Sequence, residues 1–247
     1  MTDLHCHILS GIDDGAQDVE ASVALLKMEM EQGVDKVVFT PHFNCDEMPL
    51  EEFLRRRQRA YDKLMAALPS RIKNNMEFKL GAEVFFSPTL SSIDLAPLCI
   101  SGTSYILIEL PFVNAIKPTF LSDVLYDISS KGITPIIAHV ERYPYILSDP
   151  TQIYHWVTAG YVIQVNAKTI CQGDRMVKNL VEWGLVQIIA SDAHSPKKRP
   201  VLLKEAYGHL RPDMAKYIKQ SCVDVFDNYE IDVLESHRPK KVMGRWK

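Results

Sequence analysis

Short apolar runs alternate with amphipathic stretches along the whole chain. The first run places Leu4, Cys6 and Ile8 on one face and Asp3, His5 and His7 on the other, because side chains two apart share a face of a strand. Val19, Val23, Leu26 and Met30 then recur at helical spacing, with Asp18 placed to cap the helix and Gly33 to stop it. Further strands are predicted at KVVFT (36–40), FKLGAEV (78–84), SYILIEL (104–110), ITPIIAHV (133–140), YVIQVNA (161–167) and QIIASD (187–192). A long helix carries Phe53, Leu54, Tyr61, Leu64, Met65 and Leu68, and others are predicted at 118–131, 150–159, 174–183, 200–209 and 212–222. Strands joined by helices predict an α/β fold, either a parallel barrel or a wound sheet. No linker, repeat or low-complexity segment divides the sequence. One domain over 1–247 is expected, with a peripheral tail beyond about 223.

Composition narrows the class without changing this picture. With 247 residues, 47% hydrophobic and 24% charged, the chain can bury a core that needs no staples. A net charge of −3 gives no support to a general nucleic-acid binder. No apolar run reaches the roughly 18 residues of a membrane span. Polar Asp3, His5 and His7 stand where the apolar part of a secretory signal would lie. Cys6, Cys45, Cys99, Cys171 and Cys222 are scattered and form no CxxC, which fits reduced thiols in a cytoplasm.

The informative residues are those that interrupt the apolar strands. The second strand runs into Pro41-His42, the third into Glu83, and the fourth reaches Glu109 within YILIELPF. The fifth ends at His139 in PIIAHVERY, and the seventh at Asp192 with His194 behind it. With His5 and His7, six of the seven strands deliver a nitrogen or oxygen donor. In parallel barrels the C-terminal strand ends form one mouth, where catalytic residues gather. Each residue alone has a plain alternative: Glu109 pairing with Lys117 or Arg142, or His139 as a satisfied core histidine. Together they read as a metal centre, since a carboxylate among apolar neighbours is costly unless paired or metal-bound. Imidazole and carboxylate without thiolate suit Mn²⁺, Fe²⁺, Co²⁺ or catalytic Zn²⁺. Eight donors exceed what one open ion needs, so two or three ions are expected. Such clusters hydrolyse phosphate esters or amides.

HCHILSGIDDGAQ, TPHF, GAEVFF, IELPF, IAHVERY and ASDAH, in that order, resemble the polymerase and histidinol phosphatase (PHP) family. The nearest branch is the manganese-dependent tyrosine phosphatases of bacterial capsule and exopolysaccharide synthesis. The resemblance covers about residues 1 to 210 and implies a distorted seven-stranded barrel with a trinuclear site. It assigns His5, His7, Glu83 and Asp192 to one ion, and Glu83, Glu109 and His139 to a second. His42 and His194 go to the third. Ser10 stands where the family usually has proline, and RPKKVMGRWK at the C-terminus matches nothing in it. The implied substrate is a phosphotyrosine protein, a bacterial tyrosine autokinase controlling polysaccharide export. Histidinol phosphate or another small phosphomonoester is the alternative, a nuclease-type phosphodiesterase is weaker, and a non-catalytic metal-binding regulator is the rival of another class.

A phosphomonoesterase also needs clamps and an acid. Arg142 and Arg199 follow His139 and His194 closely, and arginine grips phosphate bidentately without losing charge. The resemblance gives them the same role. Asp13 and Asp14 lie in SGIDDGA, which by itself suits a turn. The resemblance favours Asp14 as the general acid and leaves Asp13 structural. Phe43, Phe85, Phe86 and Tyr143 follow donor-bearing strands and are candidates to wall an aromatic slot, with core packing the plainer reading. Cysteine-dependent tyrosine phosphatases need an arginine six positions after the nucleophile. Here those positions hold Ile12, Glu51, Tyr105, Val177 and Asn228, so no cysteine qualifies. RRRQR (55–59) reads as a solvated helix face and the basic terminus as a tail. Intact Asp14, Arg142 and Arg199 weigh against a regulator without catalysis.

Overall fold

The computed structural model of the chain describes residues 1–112, 118–242 and 244–246. The apolar runs form strands β1 (Thr2–Cys6), β2 (Lys36–Phe39), β3 (His42–Phe43), β4 (Glu77–Leu80) and β5 (Glu83–Phe85). They continue as β6 (Tyr105–Glu109), β7 (Thr134–Ile137), β8 (Val162–Asn166) and β9 (Ile188–Ala190). All pair in parallel, in a sheet ordered β1-β2-β4 and another ordered β3-β5-β6-β7-β8-β9. The sheet curls back on itself. His7 N–H donates to Ala193 O at 2.8 Å and Asp192 N–H to His5 O at 2.9 Å, so the first strand end meets the segment after the last.

The fold departs from the expected strand count at two breaks. The predicted strand 78–84 divides into β4 and β5, and the 36–40 strand is followed by the separate β3. Pro41 has no N–H to donate, and Gly81 has no side chain to pack, so ladder pairing lapses at both places. Lone hydrogen bonds cross the breaks, Gly81 N to Phe39 O at 2.9 Å and Glu83 N to Pro41 O at 3.1 Å.

Helices fill the connections: α1 (Val19–Glu31), α2 (Leu50–Ala67), α3 (Ser70–Lys73), α4 (Pro118–Ser130) and α5 (Pro144–Leu147). After them come α6 (Thr151–Thr158), α7 (Ala167–Cys171), α8 (Arg175–Glu182), α9 (Leu203–Gly208) and α10 (Pro212–Asp227). Asp18 caps α1 by accepting from Ala21 N at 2.8 Å, as its position predicts. α10 runs past the predicted 222 and buries Val225 and Phe226. It stops at Asn228, which adopts the left-handed conformation common just after a helix. A short antiparallel pair, β10 (Lys241–Val242) and β11 (Arg245–Trp246), follows; Met243 and Lys247 of the basic terminus lie outside the described residues. RRRQR is not one solvated face. Arg57 is buried and donates to Gly81 O at 2.7 Å and Pro97 O at 3.0 Å, fastening α2 over the β4–β5 break.

Candidate active site

The site begins where β1 ends. His5 Nε2 and His7 Nε2 stand 3.1 Å apart with both rings buried. The SGIDDGA loop then folds back over His7: Ala16 N donates to His7 O at 3.0 Å. Gly15 is required there, because a Cβ on it would lie 2.1 Å from His7 O. That close turn sets Asp13 Oδ2 2.8 Å from His7 Nδ1 while it also accepts from His42 N at 3.1 Å. Asp3, which shares a strand face with the histidines in the sequence pattern, stays outside the cluster. It accepts from Ser191 N at 2.9 Å and Ser191 Oγ at 2.5 Å, tying β1 to the segment that carries Asp192.

Glu83, at the start of β5, is the centre of the constellation. Its Oε2 lies 3.2 Å from His5 Nε2, 3.0 Å from His7 Nε2 and 3.1 Å from His42 Nδ1. Its Oε1 lies 2.7 Å from His139 Nε2. Glu109 brings Oε2 to 3.6 Å from His42 Nδ1 and Oε1 to 3.6 Å from His139 Nε2. Asp192 Oδ1 is 3.6 Å from the Nε2 atoms of His5 and His7 and 3.5 Å from His194 Nδ1. Asp14 Oδ1 is 3.4 Å from His42 Nε2 and 3.4 Å from His194 Nε2, with its side chain 66% exposed. All eight predicted donors therefore meet in one place. His139 and Asp192 reach it with positive φ of 28° and 50°, backbone that non-glycine residues rarely adopt and that concentrates at functional sites.

The electrostatics of the cluster follow from burial and from imidazoles crowding carboxylates. Burial opposes charge on Glu83, yet the charge of nearby His5, the hydrogen bond from His139 and the close imidazole of His7 hold its carboxyl well below the usual range. Burial, with Glu83 alongside, lifts Glu109 to about 8. Burial opposes charge on Asp192 as well, but His5 and His7 bring it down to about 2. Burial and the neighbouring His7 push His194 down to about 3. Among the described residues, buried Glu83 Oε2, Asp192 Oδ1 and His194 Nε2 make no hydrogen bond of good geometry, although three imidazole nitrogens crowd Glu83 Oε2 at 3.0–3.2 Å. An unsatisfied buried polar atom costs about 1–3 kcal/mol, so three at one point call for an occupant. Donor atoms gather within 4.8 Å in three overlapping sets: His5-His7-Glu83, His42-Glu83-Glu109 and His7-Asp14-His42-His194. The residues present fit a cluster of divalent ions with nitrogen and oxygen ligands. The third set places Asp14 among the donors as well as at the exposed rim.

Supporting residues went unrecognised in the sequence. Gln164 Oε1 accepts from His139 N at 2.6 Å and lies 3.2 Å from His5 Nδ1. Gln164 Nε2 donates to Asn166 Oδ1 at 2.8 Å, and Asn166 Nδ2 donates to Asp192 Oδ2 at 2.6 Å. The one predicted strand without a donor thus braces three of them. Tyr143 is fully buried with its hydroxyl 3.1 Å from His139 Nδ1. Tyr143 and Phe86 are core residues and Phe85 is half-buried, whereas Phe43, though buried, lines a cavity of about 360 Å³ with Asp14 and His42. The exposed aromatic at the mouth is Phe112, whose ring centroid is 4.6 Å from the Arg142 guanidinium. Arg142 Nη1 lies 3.9 Å from Asp192 Oδ2, to which Arg199 Nη2 donates directly. Lys117, the other sequence-level partner for Glu109, lies outside the described residues.

Fold and site define an α/β protein with candidate metal-binding clusters at the ends of parallel strands. Residues 1–229 match the family described as capsular polysaccharide synthesis, CpsB/CapC, and the chain belongs to it. It is 33% identical over 216 residues to the tyrosine-protein phosphatase YwqE of Bacillus subtilis, covering 83% of this chain and 82% of that protein. It is 28% identical over 245 residues to the tyrosine-protein phosphatase CpsB of Streptococcus pneumoniae, 91% of this chain and 96% of that protein. Its structure superposes with a TM-score of 0.83 and 26% identity on a structure from the work on YwqE and CpsB, described as unique metal-dependent tyrosine phosphatases. That match covers 97% of this chain and 100% of the other. The resemblance to capsule and exopolysaccharide tyrosine phosphatases therefore holds. A β-aspartyl dipeptidase of Fervidobacterium islandicum, 12% identical with a TM-score of 0.53 over 96% of this chain and 78% of the other, shares the fold alone.

Proposed function

We propose that the chain is a metal-dependent protein-tyrosine phosphatase whose ions are Mn²⁺, with Fe²⁺, Co²⁺ and Zn²⁺ as chemically suited substitutes. His5, His7, Glu83 and Asp192 hold one ion, Glu83, Glu109 and His139 a second, and His42 and His194 a third. The reading is carried by the buried carboxylate and imidazole atoms of Glu83, Asp192 and His194, crowded together without well-formed hydrogen bonds among the described residues, in a chain of this family. β2 with β3, and β4 with β5, each count as one interrupted strand of a seven-stranded barrel, and residues 1–247 act as one domain.

Divalent ions held there supply Lewis acidity toward the phosphoryl group and a nucleophile from water at neutral pH. Arg142 and Arg199 stand on the Asp192 side and grip the remaining phosphoryl oxygens, fixing the dianion for in-line attack. Water oxygen bonds to phosphorus as the bond to the phenolic oxygen breaks. Asp14, at the exposed rim, passes a proton to that departing oxygen. The donor set contains no thiol, and Cys6, Cys99 and Cys222 are buried away from solvent. The substrate is a phosphotyrosine segment of a bacterial tyrosine autokinase that governs polysaccharide export, met in the cytoplasm.

The test is turnover after chelation and reloading with each metal singly, on phosphotyrosine peptides and on histidinol phosphate. Activity restored best by Mn²⁺, and on the peptides, is expected. Preferential hydrolysis of histidinol phosphate would make this a small-molecule phosphatase, and no turnover with any ion would leave a metal-binding regulator.

A further inference from the structure

Beside the donor cluster lies a cavity of about 390 Å³. Asn166, Ser191 and Asp192 contribute to it, with the clamps Arg142 and Arg199 and, from α7, Lys168. A single phosphoryl group held against the metal ligands leaves most of that space unused. We propose that Lys168, with Gln172 one turn on, forms an anion subsite for a second negatively charged group of the substrate polypeptide, a carboxylate or another phosphoryl close to the phosphotyrosine. The proposal rests on the phosphotyrosine reading and adds a preference for acidic or multiply phosphorylated segments.

Charge is the first support. Lys168 is exposed and has no carboxylate partner among the described residues. Asp192 is the one carboxylate lining the cavity, and its Oδ2 already accepts from Arg199 and Asn166. Three cations therefore face the space in a chain whose net charge is −3. The wall is also fixed in place. Glu141 Oε1 accepts from Asn166 N at 2.9 Å and from Thr169 Oγ at 3.1 Å, binding the start of α7 to the residue before Arg142. A fixed backbone beneath Lys168 lowers the ordering cost of binding at that wall. Side chains on one face of an extended peptide repeat every ~7 Å, so a neighbouring acidic group is within reach of this wall.

Three peptides test it, alike except for one flanking position: glutamate, glutamine or a second phosphotyrosine. Steady-state KM is measured with the Mn²⁺-loaded protein, and Kd with non-hydrolysable phosphonate versions of the same peptides. The native chain should favour one or both anionic peptides over the glutamine peptide by roughly two- to fivefold, the span of partly exposed ion pairs. A gain from glutamate identifies a carboxylate site; a gain from the second phosphate alone identifies a phosphoryl site. Lys168→Glu should erase or reverse the order, while Lys216→Glu, the same charge change on the exposed side of α10, should preserve it. Equal affinities for all three peptides, or an order unchanged by Lys168→Glu, would overturn the subsite. Failure of the phosphotyrosine reading shows differently, as no turnover of any peptide, and the Kd order still decides the subsite.

Discussion

Asp14 stands 3.4 Å from two imidazoles, close enough to be a metal ligand, yet its side chain is the most exposed in the cluster. The two roles separate by leaving group. Phosphotyrosine releases a phenol of pKa about 10, whose departure at neutral pH benefits from a donated proton. p-Nitrophenolate needs little help. Asp14→Asn should therefore lower kcat on phosphotyrosine far more than on p-nitrophenyl phosphate if Asp14 is the acid. Equal losses, accompanied by reduced metal content, would make it a ligand. The clamps differ from each other in the same way. Arg142 lies 3.9 Å from Asp192 and rests on Phe112, whereas Arg199 donates directly to Asp192. Arg142→Ala should cost about 2–4 kcal/mol of transition-state stabilisation, read from kcat/KM, with full metal occupancy. Arg199→Ala should lose comparable activity and some metal too. Wild-type kcat/KM in both would return these arginines to the surface.

At the level of elements, the sequence was readable wherever one periodicity ruled a segment. β6 and β8 fall within their predicted runs, and Asp18 opens α1 where the pattern placed it. Donors were readable because charged or imidazole side chains ending run after run of Val, Ile and Leu make the separate plain alternatives improbable together. The breaks at Pro41 and Gly81 were harder, since a lapse in ladder pairing depends on neighbouring strands and leaves the apolar run intact. The strand of β8 was legible but its part in the site was not: Gln164 and Asn166 are uncharged and ordinary in a strand, and their value lies in what they touch. Gln164 joins the His139 backbone and the His5 ring to Asn166, which holds Asp192. Partners that orient metal ligands commonly contribute 10–100-fold in affinity. Asn166→Ala and Gln164→Ala should each weaken Mn²⁺ binding by about that factor, measured calorimetrically on the metal-stripped protein. Unchanged affinity would reduce β8 to a structural strand.

For the whole molecule, closing the sheet forces eight donors into one small volume, and their protons must leave before cations enter. Burial and Glu83 lift Glu109 from an ordinary 4.5 to about 8. His7 is also raised, because Asp13 and Glu83 outweigh its burial. Between about pH 4.5 and 8 the metal-free fold therefore keeps a proton on Glu109 that the unfolded chain has released. Since the native state binds more protons there, that group's contribution to metal-free stability falls as pH rises through the window. With Glu109 ionised and bound to a cation, as proposed, the loss would not arise. An ion that binds only the folded chain stabilises by about 2.7 kcal/mol at a hundredfold excess over Kd. The gap in Tm between Mn²⁺-loaded and chelated protein should accordingly widen from pH 5.5 to pH 8, with net proton release on titration of metal into protein near pH 7. Glu83→Ala removes the carboxylate that touches four imidazoles and should abolish both the gap and the proton release. A Tm gap that is constant with pH, or that survives Glu83→Ala, would mean that the cations stabilise some other part of the molecule.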